Sequence, residues 1–200
     1  MNFLGHSYLS FNNQSLLVGN IIGDFVKGTS KNWEIFPTEI QAGIKLHREI
    51  DSFTDQHEAI KAAKSLFRAQ YGLYSGVLVD ILMDYFLAND SQLFSSQAQL
   101  QTFCNNVYNT LNHNEEYLPA KFIPYYESMI LHNWLYLFHT KEGVSKALQA
   151  VHRRVPQMGD WNEAFRLFEK HELTLNTYYA DFIESIILFV KNKIELIQNT

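Results

Sequence analysis

A single cysteine, Cys104, in a chain of 200 residues excludes an intramolecular disulfide and any zinc site built on several thiolates, and it fits a reducing, cytoplasmic setting. Only four prolines interrupt the sequence, Pro37, Pro119, Pro124 and Pro156. Strict polar/apolar alternation is almost absent as well, so strands are not expected. Charged residues make up only 18% of the chain and leave a formal net charge of −5. That balance lacks the broad basic footprint of non-specific nucleic-acid binding, although it allows a local basic patch. Long hydrophobic runs are lacking too. The longest, such as IILFV at residues 186–190, fall far short of the roughly 20 residues that span a bilayer. The opening MNFLGHSYLSF has no positively charged region of the signal-peptide kind. A soluble protein, with no membrane or nucleic-acid partner, is the expectation.

What is present points to helices. Hydrophobic residues reach 46%, with fifteen Phe and eleven Tyr, enough bulky apolar surface for one core. The chain is read as one all-α domain over residues 1–200, a bundle of about seven to nine helices. After a first helix carrying His6, helices are expected near residues 14–27, 38–53, 57–69, 73–89, 96–110, 122–138 and 142–151. The last helix carries an amphipathic stripe of Leu175, Tyr179, Phe182, Ile186 and Phe189 at helical steps. Residues 89–116 are rich in Asn, Gln and Ser and read as peripheral.

Three of these segments carry acidic residues where the pattern is otherwise apolar. In LVGNIIGDFVKG, Asp24 is the only formally charged residue between Met1 and Val26, with Asn20 four positions before it. In GVLVDILMDYFLA, Asp80 and Asp84 are the only charges between Arg68 and Asp90. In GIKLHREIDSFTDQHE, His47, Asp51 and Asp55 repeat the four-residue spacing, which sets side chains on one helical face. Carboxylates from separate apolar helices are expected to converge on one another, and their mutual repulsion then requires a cation between them. A divalent metal supplies that charge. Oxygen donors with one or two imidazoles, His47 and His6, suit Mn²⁺, Mg²⁺ or Fe²⁺ better than a thiol-preferring ion. Gly19 and Gly23, beside the Asn20/Asp24 stripe, allow the close approach of backbones that such a crossing needs.

Plainer readings stand beside these. Asp55 followed by Glu58 forms a capping box for the next helix. Asp51 can pair with Arg48 on a solvated face, and a lone His6 can be a hydrogen-bonded core histidine. His57, His113, His139, His152 and His171 lie in polar stretches and are assigned no role. The pair Arg153–Arg154 in HRRVP can clamp a phosphate, since guanidinium forks bind its oxygens bidentately; arginines also gather at helix C-termini through the dipole.

Taken in order, MNFLGHSYLS, GNIIGDFVKG, GIKLHREIDSFTDQH and VLVDILMDYFLA, followed by RRVP and an aromatic last helix, resemble the acyl carrier protein phosphodiesterase family, described as distantly related to the HD phosphohydrolases. The resemblance covers nearly the whole chain and is most specific in the first 90 residues. It implies a hydrolase that removes 4′-phosphopantetheine from holo acyl carrier protein, an acidic protein substrate, to give the apo form, with Mn²⁺ as the metal. Its motif positions here are His6, Asn20, Asp24, His47, Asp51, Asp55, Asp80 and Asp84. Many members have a histidine where this chain has Tyr85, and the His-Asp dipeptide of the HD proteins is missing. On this reading His6, His47, Asp51, Asp80 and Asp84 hold the metal. Asp24, as the most desolvated carboxylate, acts on the attacking water with Asn20 and Asp55 nearby, and Arg153 and Arg154 meet the phosphoryl group. Lys45, Arg48, Lys61, Lys64 and Arg68 are the candidates for docking the acidic carrier. The alternatives are a metal-dependent phosphohydrolase of a nucleotide or small phosphodiester, and a non-catalytic helical binding module whose acidic residues pair with arginines from residues 121–170.

Overall fold

The computed structural model describes residues 1–28 and 33–198, and among them there are helices and no strand. The helices are α1 (Phe3–Tyr8), α2 (Gln14–Ile22), α3 (Thr38–Gln56), α4 (Glu58–Tyr71), α5 (Ser75–Ala88), α6 (Gln97–His113), α7 (Ile123–His132), the single turn α8 (Trp134–Leu137), α9 (Lys141–Arg154) and α10 (Trp161–Gln198). The all-α reading therefore holds. α10 packs along α3, α4, α5 and α9 through the expected stripe. Leu175, Tyr179, Phe182 and Ile186 are buried, while Phe189 stacks on Phe53 with ring centroids 4.5 Å apart. By length and composition Glu58–Ala88 is apolar enough to cross a membrane, but most of its apolar window is buried inside the bundle.

α2 and α3 form the most intimate pair in the structure. Every residue of α2 from Leu16 to Ile22 is buried, and the two backbones touch where Gly19 meets Gly43. A Cβ on Gly19 would stand 2.1 Å from the Ile40 carbonyl oxygen, and one on Gly43 would stand 2.4 Å from that of Leu16. Asn13 opens α2 by accepting a hydrogen bond from the Leu16 N–H at 3.1 Å. The helix ends earlier than its apolar pattern predicts. A 3₁₀ turn, Gly23–Phe25, follows Ile22 and rotates Asp24 off the buried stripe. The helix expected over residues 122–138 is likewise broken, because Asn133 takes a left-handed conformation with φ of 49° and divides it into α7 and α8.

α1 is too short to be stable alone, and α5 holds it in place. The Asp84 carboxylate, fully buried, accepts hydrogen bonds from the backbone N–H groups of Asn2 (3.2 Å), Leu4 (2.9 Å) and Gly5 (3.1 Å). Asp80 pairs with the Met1 ammonium at 2.9 Å. This corrects the expected metal set: neither Asp80 nor Asp84 touches His6, His47 or Asp51. Their partners are the positive end of a helix and an ammonium group, which offset part of their desolvation. Burial pushes the Asp84 carboxyl up to about 7, opposed by the nearby ammonium and the three amides. Tyr85, one position on and about 100° round the helix, turns away from α1, and its hydroxyl donates to Glu172 at 3.0 Å. Glu172 also binds Lys141 at 2.7 Å, so this position ties α5, α9 and α10 together.

Asp84→Ala leaves three buried amides without an acceptor and is expected to cost about 3–5 kcal/mol, read by urea denaturation. Asp84→Asn retains an acceptor and is expected to cost less. Since the folded carboxyl titrates near 7, well above its unfolded value, ionising it costs stability as pH rises from about 4 to about 7, and Asp84→Asn is expected to remove that slope. Gly19→Ala, which forces a methyl into the Ile40 carbonyl, is expected to cost at least about 1–3 kcal/mol in the same assay.

Candidate metal centre at the meeting of α1, α2 and α3

Asn20, buried in α2, organises the site. Its side-chain oxygen lies 2.7 Å from His6 Nδ1, and its backbone oxygen lies 2.7 Å from His47 Nδ1. Both acceptors are carbonyl oxygens, so each imidazole donates through Nδ1 and turns Nε2 the other way. The Asn20 amide nitrogen donates in turn to the His6 carbonyl at 2.8 Å and to Ser10 Oγ at 3.1 Å, which fixes its own orientation. Gly23 completes the seat. A Cβ there would stand 2.3 Å from His47 Cγ, so only glycine lets that ring lie against the end of α2.

The two rings stack at 4.1 Å, and both Nε2 atoms face Asp51. One Asp51 oxygen lies 3.2 Å from His6 Nε2 and the other 3.1 Å from His47 Nε2. Asp24 reaches His47 Nε2 at 3.3 Å from the 3₁₀ turn. The histidines are buried, with side chains 5% exposed, whereas Asp51 is 42% and Asp24 74% exposed, so the cluster opens to solvent on its carboxylate side. His6, His47 and Asp51 place one donor atom each within 4.8 Å of one another.

The electrostatics follow from this geometry. Burial lowers the His6 pKa, assisted by the charge of His47. His47 rises to about 9: burial opposes its protonation, and hydrogen bonds to Asp24 and Asp51 outweigh that. Burial works against an ionised Asp51, but the two imidazoles hold it well below the carboxylate range. The hydrogen bond to His47 lowers Asp24. Two carboxylates thus face one imidazolium, with the Met1 ammonium, which also pairs with Asp80, near enough to act on Asp51 and His6.

The remaining expected residues lie elsewhere. Asp24 belongs to the cluster but is its most exposed member, so it is not the most desolvated carboxylate; that is Asp84. Asp55 is not at the site, because α3 runs on to Gln56 and turns Asp55 outward onto Lys64 at 2.6 Å. Nor does it cap α4, since His57 takes that role by accepting from the Ala59 N–H at 3.3 Å. Arg153 and Arg154 are exposed at the end of α9. Arg154 lies over the Tyr125 ring at 5.0 Å, and Tyr125 in turn meets Phe25 at 5.1 Å, so this guanidinium is linked to the Asp24 turn through two rings. Arg48 is occupied by the carbonyls of Val26 and Gly28 at 3.0 and 2.9 Å and by the Trp33 ring at 4.5 Å. The sequence offered no sign of that clamp beyond its place next to His47. Among the described residues no arginine pairs with Asp24, Asp51, Asp80 or Asp84, which leaves the binding-module arrangement without its expected ion pairs.

Comparison with known proteins gives one consistent result. A family model described as acyl carrier protein phosphodiesterase matches residues 1–186. The acyl carrier protein phosphodiesterase of Yersinia pestis is 28% identical over 193 residues, covering 96% of this chain and 99% of its own. That of Photorhabdus laumondii is 28% identical, with 96% coverage of each. That of Escherichia coli O157:H7 is 27% identical over 182 residues, covering 91% of this chain and 93% of its own. No solved structure matches the chain. With its family match spanning the bundle and all three helices that build the imidazole cluster, the chain belongs to the acyl carrier protein phosphodiesterase family.

Proposed function

We propose that this protein hydrolyses the phosphodiester that joins 4′-phosphopantetheine to a serine of holo acyl carrier protein, releasing the arm and the apo carrier, with a divalent metal held by His6, His47 and Asp51. The observation that carries the metal assignment is the pair of imidazoles whose Nδ1 atoms are both engaged by Asn20 and whose Nε2 atoms converge on one carboxylate. Two imidazole nitrogens and a carboxylate oxygen are a donor set that fits Mn²⁺ or Fe²⁺, and Mg²⁺ less closely. When bound, such an ion supplies Lewis acidity toward a phosphoryl oxygen and acidifies water.

The chain's own residues provide the rest. Asn20 fixes both imidazole tautomers, and the wall at Gly23 keeps the His47 ring in register. Asp24, exposed and held ionised beside His47, sits at the mouth, where it accepts a proton from the attacking water.

Mass spectrometry of holo carrier protein incubated with the enzyme and Mn²⁺ is expected to show loss of phosphopantetheine. Asp51→Asn and Gly23→Ala are expected to lower turnover by at least about 100-fold with unchanged circular dichroism. Turnover of a small diester and none of the carrier would favour the alternative phosphohydrolase.

The protonation state gives an independent check. His47 titrates near 9, above its unfolded value, so in metal-free protein its proton stabilises the fold fully below about pH 6.5. That contribution is lost as pH rises through about 9. Urea denaturation from pH 6 to 10 is expected to show the decline, and Asp51→Asn to shrink it. Metal ligation through Nε2 needs neutral imidazole. Mn²⁺ binding at pH 7 is therefore expected to release about one proton, read by calorimetry in buffers of different ionisation enthalpy.

A further inference from the structure

Four cations from separate parts of the chain surround the exposed Asp24–Phe25 turn. Lys27, three residues beyond Asp24, is exposed, and the carbonyls on either side of it, Val26 and Gly28, are the ones Arg48 holds. Arg48 follows His47 on α3, so this clamp fixes the Lys27 segment beside the imidazoles. On the other flank Phe25 packs against Phe122 at 5.0 Å and Tyr125 at 5.1 Å. Lys121, immediately before Phe122, is exposed, and Arg154 lies on Tyr125 with only its Nε engaged, by the Ala150 carbonyl at 3.3 Å. Among the described residues, none of Lys27, Arg48, Lys121 and Arg154 has a carboxylate partner.

On the α3–α4 row that the sequence suggested, Lys61 is paired with Glu58 at 2.8 Å and Lys64 with Asp55 at 2.6 Å and Arg48 is committed to the clamp, so only Lys45 and Arg68, both exposed, are left there without a carboxylate partner among the described residues. In a chain of net charge −5, three exposed cations without an ion-pair partner, Lys27, Lys121 and Arg154, flank one half-buried aromatic pair and can offer contacts to carboxylates of a partner.

We propose that the acidic carrier protein docks on the face framed by Lys27, Lys121 and Arg154 around Phe25 and Tyr125; this rests on the function proposed above. A partner whose serine-bound phosphodiester must reach Asp24 and His47 covers the surface next to them. A standard interface takes about 800 Å² from each partner, a patch of about 16 Å radius, and the three cations are tied by direct ring contacts or sequence adjacency to the turn at its centre. Half-buried aromatics ringed by charge are the usual anchors of such patches. On this assignment Arg154, held on the Tyr125 ring, meets the carrier's carboxylates and not the phosphate.

The test is steady-state kinetics on holo carrier protein with Lys27→Glu, Lys121→Glu and Arg154→Glu, beside Lys45→Glu and Arg68→Glu on the α3–α4 side. Each of the first three is expected to raise KM about five- to tenfold with kcat within about twofold. Arg154→Lys is expected to restore most of the loss. The KM of the unaltered enzyme is expected to rise with salt, and that of the triple reversal to be nearly flat. Unchanged KM in the first three with a rise in the other two would overturn the assignment, as would a fall in kcat alone. If the unaltered enzyme releases no phosphopantetheine, the activity itself fails. Fluorescence anisotropy with labelled apo carrier then decides the docking: weaker binding by the triple reversal supports the face, and equal or absent binding overturns it.

Discussion

The site depends on one buried residue accepting two hydrogen bonds. Asn20 takes the Nδ1–H of His6 on its side-chain oxygen and that of His47 on its backbone oxygen, so two imidazoles from different helices present the same nitrogen in the same direction. Neither ring could be aimed so well by its own helix. For Asn20 to reach both, α2 must lie against α3 at backbone contact, which the facing glycines Gly19 and Gly43 permit. α1 must also be fixed although it is only six residues long, and Asp84 fixes it. The oily character of α2 follows from this, since a helix covered on several sides has no solvated face to show.

The charge arrangement is the second constraint. Asp51 places one oxygen on each imidazole, the bridging pose of a carboxylate between two cations, yet only one of the rings is cationic. The stacked rings disfavour double protonation, so His6 stays neutral while His47 keeps its proton. In the metal-free protein that proton does part of the work of a cation for Asp24 and Asp51. A divalent ion would displace the proton, which is why binding of metal and loss of the proton are linked.

The helical class, the α10 stripe and the glycine contacts were legible because periodicity and small residues report directly on burial. Asn20 with Asp24 and His47 with Asp51 were legible as polar pairs at four-residue spacing beside apolar residues, and His6 only as a histidine on the first helix that could add a second imidazole. Asp80 and Asp84 produce the same signal and lie elsewhere, since a sequence shows that a carboxylate needs a positive partner and not which one it receives. Asp55 was misplaced by a single helical turn: α3 continues through the position where a cap was expected. The exposure of Asp24 could not be read either, because the change from α-helix to 3₁₀ turn at Gly23 leaves the apolar pattern unbroken.

The two acidic groups separate according to what each can find nearby. Asp80 and Asp84 stand where α1 begins, and a helix start offers free amides and partial positive charge, here with an ammonium group as well. Their demand is met within the fold, and Asp84 can be wholly buried, at the expense of a carboxyl that titrates near neutrality. Asp24 and Asp51 stand where α2 ends and along the middle of α3, where no free amide is offered and the neighbours are imidazoles. They keep their charge by staying partly in water, and that exposure is also what gives an outside ion and a substrate a way in. What separates the two groups is the partner each carboxylate meets in space: Asp24 and Asp51 meet imidazoles, whereas Asp80 and Asp84 meet an ammonium group and backbone amides. Asp55, whose partner is Lys64, meets no imidazole although it shares the stripe of Asp51.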